Sequence, residues 1–408
     1  MRATLHTSMK RDGWLLVLGV AAAQVVSWGS IYYSFSLFVV PMERELAWSR
    51  AQLNGALSLG LLAAAFSAYP VGACIDRYGG RGVMTGGSVL GAVLLAAWAL
   101  TDSLAWFYAI WIGLGIALAA TLYEPAFAVM TRRFPGDYRT RITAVTLIGG
   151  FASTVFIPLT QLFITLLGWR HALIALALCN VAVCLPVHAL LLRGDRRAGA
   201  APALTPADSG DVMRRALRHP VFWGLAVAFT AYYAAFSAMT FHVIPLLTGR
   251  GLSMSLIVGA IAVIGPAQVA GRIVLFALHG RVTTSAAGTI AMIAFPLSVL
   301  VVIAFPASEY ALFGFALLYG GANGIITIVR GTAVPEMMWR EGYGAINGAL
   351  TLPGNIAKAL APFGAAALWS VTGGYDAVLW AIFGSAAVAA LVFVKTSRYA
   401  RRAARPER

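Results

Sequence analysis

Apolar runs long enough to cross a bilayer recur from one end of this chain to the other, and no other feature restricts its fold as much. A helix needs about 20 apolar residues to span roughly 30 Å of hydrocarbon. Such runs lie near 14–40, 51–73, 82–100, 104–130, 142–163, 171–192, 220–247, 253–278, 284–305, 309–329, 344–371 and 374–394. The composition leaves little room for a water-soluble alternative. Of the residues, 60% are hydrophobic and 11% are charged, and the mean hydropathy is +0.80. A soluble domain carries roughly 25% charged residues, so there is too little polar surface here to coat one. The first run exceeds a signal-peptide core of about 7–15 residues and reads as an uncleaved span. An all-α membrane protein of twelve spans is therefore predicted.

The basic residues orient those spans. With both termini cytoplasmic, 24 of the 30 Lys and Arg residues fall on the inner side and 4 (Arg44, Arg50, Arg170, Arg250) on the outer side. The remaining 2, Arg272 and Lys358, lie inside spans. Positive charge of this bias sets orientation. It also accounts for the net charge of +15 without a nucleic-acid partner, because the cations are spread over many loops. One longer connection, 193–219, divides the chain into an N-terminal bundle (1–192) and a C-terminal bundle with a basic tail (220–408). Three cysteines, Cys74, Cys179 and Cys184, sit in or beside apolar runs. An odd count without paired spacing suggests neither a disulfide framework nor a zinc site. No Walker pattern, metal-ligand cluster or nucleophile elbow is present, so neither an enzyme nor a bound cofactor is expected.

The sharpest local pattern is Gly72-Ala-Cys-Ile-Asp76-Arg77-Tyr-Gly79-Gly-Arg81, between spans 2 and 3. Its glycines permit a tight turn, and Asp76 can accept hydrogen bonds from an opposing helix N-terminus, where the dipole favours an anion. This loop resembles the G-x-x-x-D-R-x-G-x-R motif of the major facilitator superfamily. Its second copy, between spans 8 and 9, is reduced to His279-Gly280-Arg281 and lacks the acid. The resemblance implies twelve helices in two pseudo-symmetric six-helix halves, with Asp76, Arg77 and Arg81 latching an inner gate. Other patterns are similar to the bacterial monocarboxylate-porter-like branch. They are Asp12-Gly13-Trp14 opening span 1, Tyr33-Ser-Phe-Ser-Leu-Phe followed by Glu43-Arg-Glu-Leu-Ala-Trp-Ser-Arg, and Gly271-Arg272 in span 8. That branch implies a span-8 arginine binding the substrate carboxylate. Two departures limit any copied proton-coupling scheme. Gln268 stands where animal members carry an acid, and their span-1 lysine is absent.

Ionisable groups inside a span are costly and usually face a cavity or a partner. The candidates are Glu124, Arg272 and Lys358. The guanidinium fork of Arg272 suits a bidentate carboxylate, and Lys358 can meet an anion or give up its proton. Two polar stripes accompany them: Tyr319, Asn323, Thr327 and Arg330 on span 10, and Asn347, Thr351, Asn355 and Lys358 on span 11. Residues three and four apart share a helix face, so each stripe is one line, read here as pore lining; interhelical hydrogen bonding is the alternative. Span 1 adds Gln24, Ser27 and Tyr32, and span 7 adds Tyr233, Ser237 and His242. Glu124 and Arg330 hold matching positions near the inner ends of spans 4 and 10 and are candidates for a gate pair. The glycines Gly82, Gly86, Gly87, Gly91, Gly320, Gly321, Gly324, Gly344 and Gly348 read as close helix packing.

The expected function is alternating-access transport of a small organic anion, a monocarboxylate above others. The substrate site is expected at Arg272 with Tyr319, Asn323, Lys358, Asn355, Tyr32 and Tyr233. Glu124 and Lys358 are the candidate proton carriers for symport. The partners expected are that anion, protons and the lipid bilayer. A monomer in the cell inner (plasma) membrane is expected. A proton-driven drug or metabolite exporter is the rival within transport, weakened because Gly149-Gly150-Phe-Ala-Ser-Thr-Val-Phe-Ile-Pro158 lacks the Gly-Pro pair of such exporters. A non-transporting sensor is the rival of another class, weakened by the absence of a loop of 30 residues.

Overall fold

The computed structural model describes residues 2–193, 206–278, 281–306 and 308–403. Ten segments among them are long and apolar enough to cross a membrane. One, Tyr138–Leu191, has 54 residues, far beyond the roughly 20 that a span needs. It turns at Gly168, whose φ of 77° is open to glycine, and so supplies spans 5 and 6. The 30-residue helix Tyr343–Thr372 is less apolar and supplies span 11. The other spans are Gly13–Leu46, Arg50–Tyr78, Gly80–Ala99 and Leu104–Arg133 (1 to 4), Pro220–Gly249, Met254–Ala277, Thr284–Ala304 and Glu309–Met337 (7 to 10), and Tyr375–Ala403 (12).

The chain forms two compact units, Met1–Asp211 with Glu341–Gly348, and Val212–Arg340 with Ala349–Arg408. The first turns of span 11 thus count with the first unit. Within the first unit, span 4 packs on spans 2 and 3, and span 6 on spans 1 and 3. Within the second, span 10 packs on spans 8 and 9, and span 12 on spans 7 and 9. The pairing is the same, displaced by six spans.

Local sequence explains several helix ends and breaks. Ser49 and Gln52 form a capping box at the start of span 2. Ser253, Thr283 and Ser308 accept from the amides three residues on, at the starts of spans 8, 9 and 10. Span 1 is π-wound over Trp28–Tyr33, and span 6 over Asn180–Cys184 and Val187–Leu191. The two windings meet where Asn180 donates to Ser30 Oγ at 3.0 Å. Span 4 breaks at Leu122. Pro125 has no N–H for the Thr121 carbonyl, and Gln24 Nε2 donates to it instead at 2.7 Å.

Three expectations need correction or limits. The connection 193–219 is not all loop, because Pro206–Arg218 is helical. Pro206 starts it, and Val212, Met213 and Ala216 fall on one face, a pattern that the flanking Ala/Pro/Asp/Ser-rich stretch obscures. Residues 194–205, His279, Gly280 and the tail beyond 403 lie outside the described residues. Gly82 and Gly86 face open space, so close packing does not explain them. At Gly72 and Gly344 it does: a Cβ on Gly72 would lie 2.0 Å from the Gly344 carbonyl oxygen.

Candidate functional site

In the second unit the close approach of spans 8 and 10 comes first. A Cβ on Gly271 would lie 2.6 Å from the Gly321 carbonyl oxygen, and one on Gly324 would lie 2.2 Å from that of Gln268. Only glycine admits this contact, and it seats the turn before Arg272 on the turn carrying Asn323. Arg272 is 6% exposed. The hydroxyl of Tyr232, from span 7, donates to Asn323 Oδ1. The guanidiniums of both Arg272 and Arg330 lie within electrostatic reach of that hydroxyl. Arg330 stands 5.9 Å from the ring centroid of Tyr233. Tyr232 and Asn323 thus form a hydrogen-bonded pair among apolar helices, near enough to Arg272 and Arg330 to feel their charge.

Tyr319 borders this cluster and, like Tyr232, is buried. Its hydroxyl donates to the Phe236 carbonyl at 2.9 Å and lies 2.9 Å from Thr240 Oγ1. Its ring stacks on Phe236 at 5.7 Å.

Span 7 also supports span 11. Ser237 Oγ donates to the Lys358 carbonyl at 2.6 Å, and His242 Nε2 lies 3.0 Å from the Pro362 carbonyl. A Cβ on Gly354 would touch the Tyr233 ring at 2.8 Å. Tyr233, Ser237 and His242 thus meet Gly354, Lys358 and Pro362 in order, so the two helices run parallel there. Asn355 and Lys358 are half-buried, whereas Asn347 and Thr351 are buried.

In the first unit Tyr32 is half-buried among Trp28 and Tyr33, with ring centroids 5.3 Å from each. Gln24 and Ser27 are buried and serve packing, Ser27 Oγ lying 3.4 Å from Cys184 Sγ. Glu124 stands in the first turn of the second half of span 4, Tyr123–Arg133, a position that suits an anion. Glu124 belongs to the first unit and Arg330 to the second.

The loop motif is built around Asp76. Its carboxylate accepts from the amides of Gly344 at 3.0 Å and Ala345 at 2.8 Å, at the start of span 11. Arg132 donates to the Asp76 carbonyl at 2.6 Å and to that of Ile75 at 3.2 Å. Arg81 donates to the Ala189 carbonyl at 2.9 Å, and Arg77 lies 4.8 Å from the Tyr78 ring centroid.

Sequence reasoning missed four residues here. Tyr232 was overshadowed by Tyr233, although Tyr232, Phe236 and Thr240 keep helical spacing. Arg132 looked like one inner cation among many. Arg141 pairs with Asp137 at 2.9 Å and lies 4.1 Å from the ring centroid of Trp14, so the Trp of Asp12-Gly13-Trp14 is a platform for it. Glu336, at the end of span 10, accepts from the amides of Thr284 at 3.0 Å and Ser285 at 3.1 Å. It caps span 9 as Asp76 caps span 11. Among the described residues no group of three or more His, Cys, Asp or Glu could hold a metal ion.

Comparison with known proteins agrees with this architecture. A family model for the Major Facilitator Superfamily matches residues 20–297. Monocarboxylate transporter 11 of Mus musculus is 30% identical over 267 residues, covering 62% of this chain and 57% of that protein. The oxalate:formate antiporter of Oxalobacter formigenes is 27% identical over 230 residues, covering 55% of this chain and 53% of that protein. Monocarboxylate transporter 13 of Rattus norvegicus is 26% identical over 335 residues, covering 80% and 75%. The chain thus spans little more than half the length of the first two. Two solved structures share the fold. The E. coli fucose:proton symporter FucP has a TM-score of 0.70 at 15% identity, covering 97% of this chain and 99% of that one. The human organic anion transporter MFSD10 has a TM-score of 0.70 at 17% identity, covering 95% and 99%. The chain belongs to the major facilitator superfamily of membrane transporters, in which it resembles the monocarboxylate porters.

Proposed function

We propose that this transporter carries a small monocarboxylate by alternating access, with the substrate carboxylate received at Arg272. One observation carries the reading. From Pro220 to Ala403 the acids are Glu309, Glu336, Glu341 and Asp376, all at or beyond span ends, whereas Arg272, Arg330 and Lys358 lie within spans. Charge inside a span is costly and usually marks a substrate path or a partner, and a guanidinium and an ammonium on these helices suit an anionic cargo. Arg272 offers a bidentate fork. Asn323 and Tyr232 supply further polar contact, and Lys358 and Asn355 extend the site along span 11. Tyr233 contributes a ring face. The relatives, monocarboxylate transporters and an oxalate:formate antiporter, favour a small carboxylate as cargo.

Proton symport runs through Glu124 or Lys358 in this proposal. Asp76, Arg77 and Arg81 hold the inner gate, and Glu124 and Arg330 take part in gating. The protein works as a monomer in a bacterial inner membrane with both termini cytoplasmic. The test is uptake of labelled monocarboxylates by proteoliposomes, with and without an imposed pH gradient. Wild type should accumulate substrate and Arg272→Ala should not. Undiminished uptake by Arg272→Ala removes Arg272 from the site, and no uptake of any carboxylate by wild type removes the substrate class.

A further inference from the structure

The helix Pro206–Arg218 and the end of span 12 form a surface that the transport reading leaves unused. Arg215 stands over Trp339, its guanidinium carbon 4.2 Å from the ring centroid. His219 meets Trp339 edge to face at 5.6 Å and faces Tyr399 at 6.5 Å. Trp223 Nε1 donates to the Leu217 carbonyl at 2.8 Å. These contacts hold the C-terminal turn of the helix against Trp339 and the start of span 7, and His219, just beyond the helix, brings that junction to Tyr399 of span 12.

The surface so assembled is both basic and amphipathic. Arg214, Arg215 and Arg218 are exposed on the helix, and Arg398 and Arg402 are exposed on span 12. Arg214 and Arg218, and likewise Arg398 and Arg402, are four apart and share a helix face. The acids Asp208 and Asp211 sit toward the opposite end of the helix. Burial, and then the charge of Arg215, hold the His219 imidazole below its ordinary range, so the arginines carry the charge of the patch. Large apolar groups stand exposed alongside: Leu217 at 44%, Trp223 at 55% and Tyr399 at 48%. Aromatic side chains of this kind settle at headgroup depth, and basic clusters beside a span attract anionic headgroups.

We infer that this surface is a binding site for anionic phospholipid, with the five arginines taking headgroup phosphates while Leu217, Trp223 and Tyr399 rest at the acyl boundary. The occupant is a lipid and not a soluble phosphate, because the cations and the exposed apolar groups are presented together. A soluble anion has no use for the second set.

The test reconstitutes the full-length chain in phosphatidylcholine vesicles with trace spin-labelled phosphatidylglycerol or phosphatidylcholine. Wild type should select the anionic label by about three- to fivefold, a ratio equivalent to roughly one surface cation, and 1 M salt should bring it toward one. The ratio should also approach one in the variant carrying Arg214→Gln, Arg215→Gln, Arg218→Gln, Arg398→Gln and Arg402→Gln. Lysine at the same five positions should preserve it, which separates charge from folding. A wild-type ratio of one, a ratio indifferent to salt, or full selectivity in the glutamine variant would overturn the proposal. Displacement of the labelled lipid by millimolar inorganic phosphate would overturn it in favour of a soluble anion. No outcome depends on the cargo, because transport is not measured.

Discussion

The Ser237 hydroxyl occupies the Lys358 carbonyl because Pro362, four residues on, has no N–H to offer it. The distance is 2.6 Å. A carbonyl left open inside an apolar bundle is costly, and a neighbouring helix can satisfy it. Gln24 does the same for Thr121 in the first unit, where Pro125 opens the ladder. Glu124 and Lys358 each sit within such a proline-opened turn. These two spans can bend there without losing a hydrogen bond.

Ser237→Ala should therefore destabilise the protein by about 1 kcal/mol, the usual scale of a hydrogen bond between membrane helices. Pro362→Ala restores the helical donor, so Ser237→Ala should cost almost nothing in that background. Thermal unfolding of the four proteins in detergent gives the cycle. Equal costs in both backgrounds would show that Ser237 acts on something other than the freed carbonyl.

Tyr232 and Tyr319 separate two readings of the polar cluster. Tyr232 spends its hydroxyl on Asn323, beside Arg272, whereas Tyr319 spends its own on the Phe236 carbonyl. Tyr232→Phe should raise the KM for substrate about tenfold, equivalent to about 1.4 kcal/mol. Tyr319→Phe should leave it within about twofold, since the lost bond is to backbone and of the order of 1 kcal/mol in stability alone. Initial uptake rates over a range of substrate concentrations decide it. Equal rises in KM would place both hydroxyls at the substrate.

Asp76 accepts two amide hydrogen bonds at the first turn of span 11. Asp76→Asn keeps at most one good acceptor and removes the charge that the helix dipole favours. The expected loss is about 1–2 kcal/mol, combining cap and dipole contributions. Asp76→Ala should lose at least as much. A melting temperature unchanged in both would mean that the start of span 11 is held by packing at Gly72 and Gly344 alone.

Much of this architecture is legible in the sequence because apolar length and loop charge are one-dimensional signals. The twelve runs, the turn motif at Asp76 and the Gly271-Arg272 pair all stand out in the chain without a partner. What stays hidden depends on a second helix. Gln24 and Ser237 look like pore-lining polar residues until Pro125 and Pro362 are seen to open the carbonyls they fill. Tyr232 gains meaning only once Gly271 and Gly324 have drawn spans 8 and 10 together. Glu336 replaces no motif acid in its own loop, so nothing in the reduced His279-Gly280-Arg281 copy points to it. The helix Pro206–Arg218 was masked by its flanking composition.

At the C-terminal ends of their odd-numbered spans the two units are each tied by the same bond with its charges exchanged. In the first unit Arg170, between spans 5 and 6, reaches Glu45 at the end of span 1 at 2.9 Å, and also Asp102. It donates as well to the Ala99 carbonyl at 2.8 Å, at the end of span 3. In the second unit Arg250 ends span 7, reaches Asp376 between spans 11 and 12 at 3.4 Å, and donates to the Val302 carbonyl at 2.6 Å, near the end of span 9. Displacement by six spans carries each contact onto the other with arginine and acid swapped. The two ties should differ in strength. Arg170 has two carboxylates and the Trp169 indole donates to Glu45 at 2.5 Å, while Asp376 is 90% exposed and an exposed pair contributes about 0–1 kcal/mol. Arg170→Gln should therefore lower the melting temperature clearly, and 1 M salt should reproduce only part of that loss because carbonyl bonds remain in wild type. Arg250→Gln should lower it less, its cost lying mainly in the Val302 bond. The reverse ranking would mean that the tie in the second unit, not that in the first, is the one held by charge.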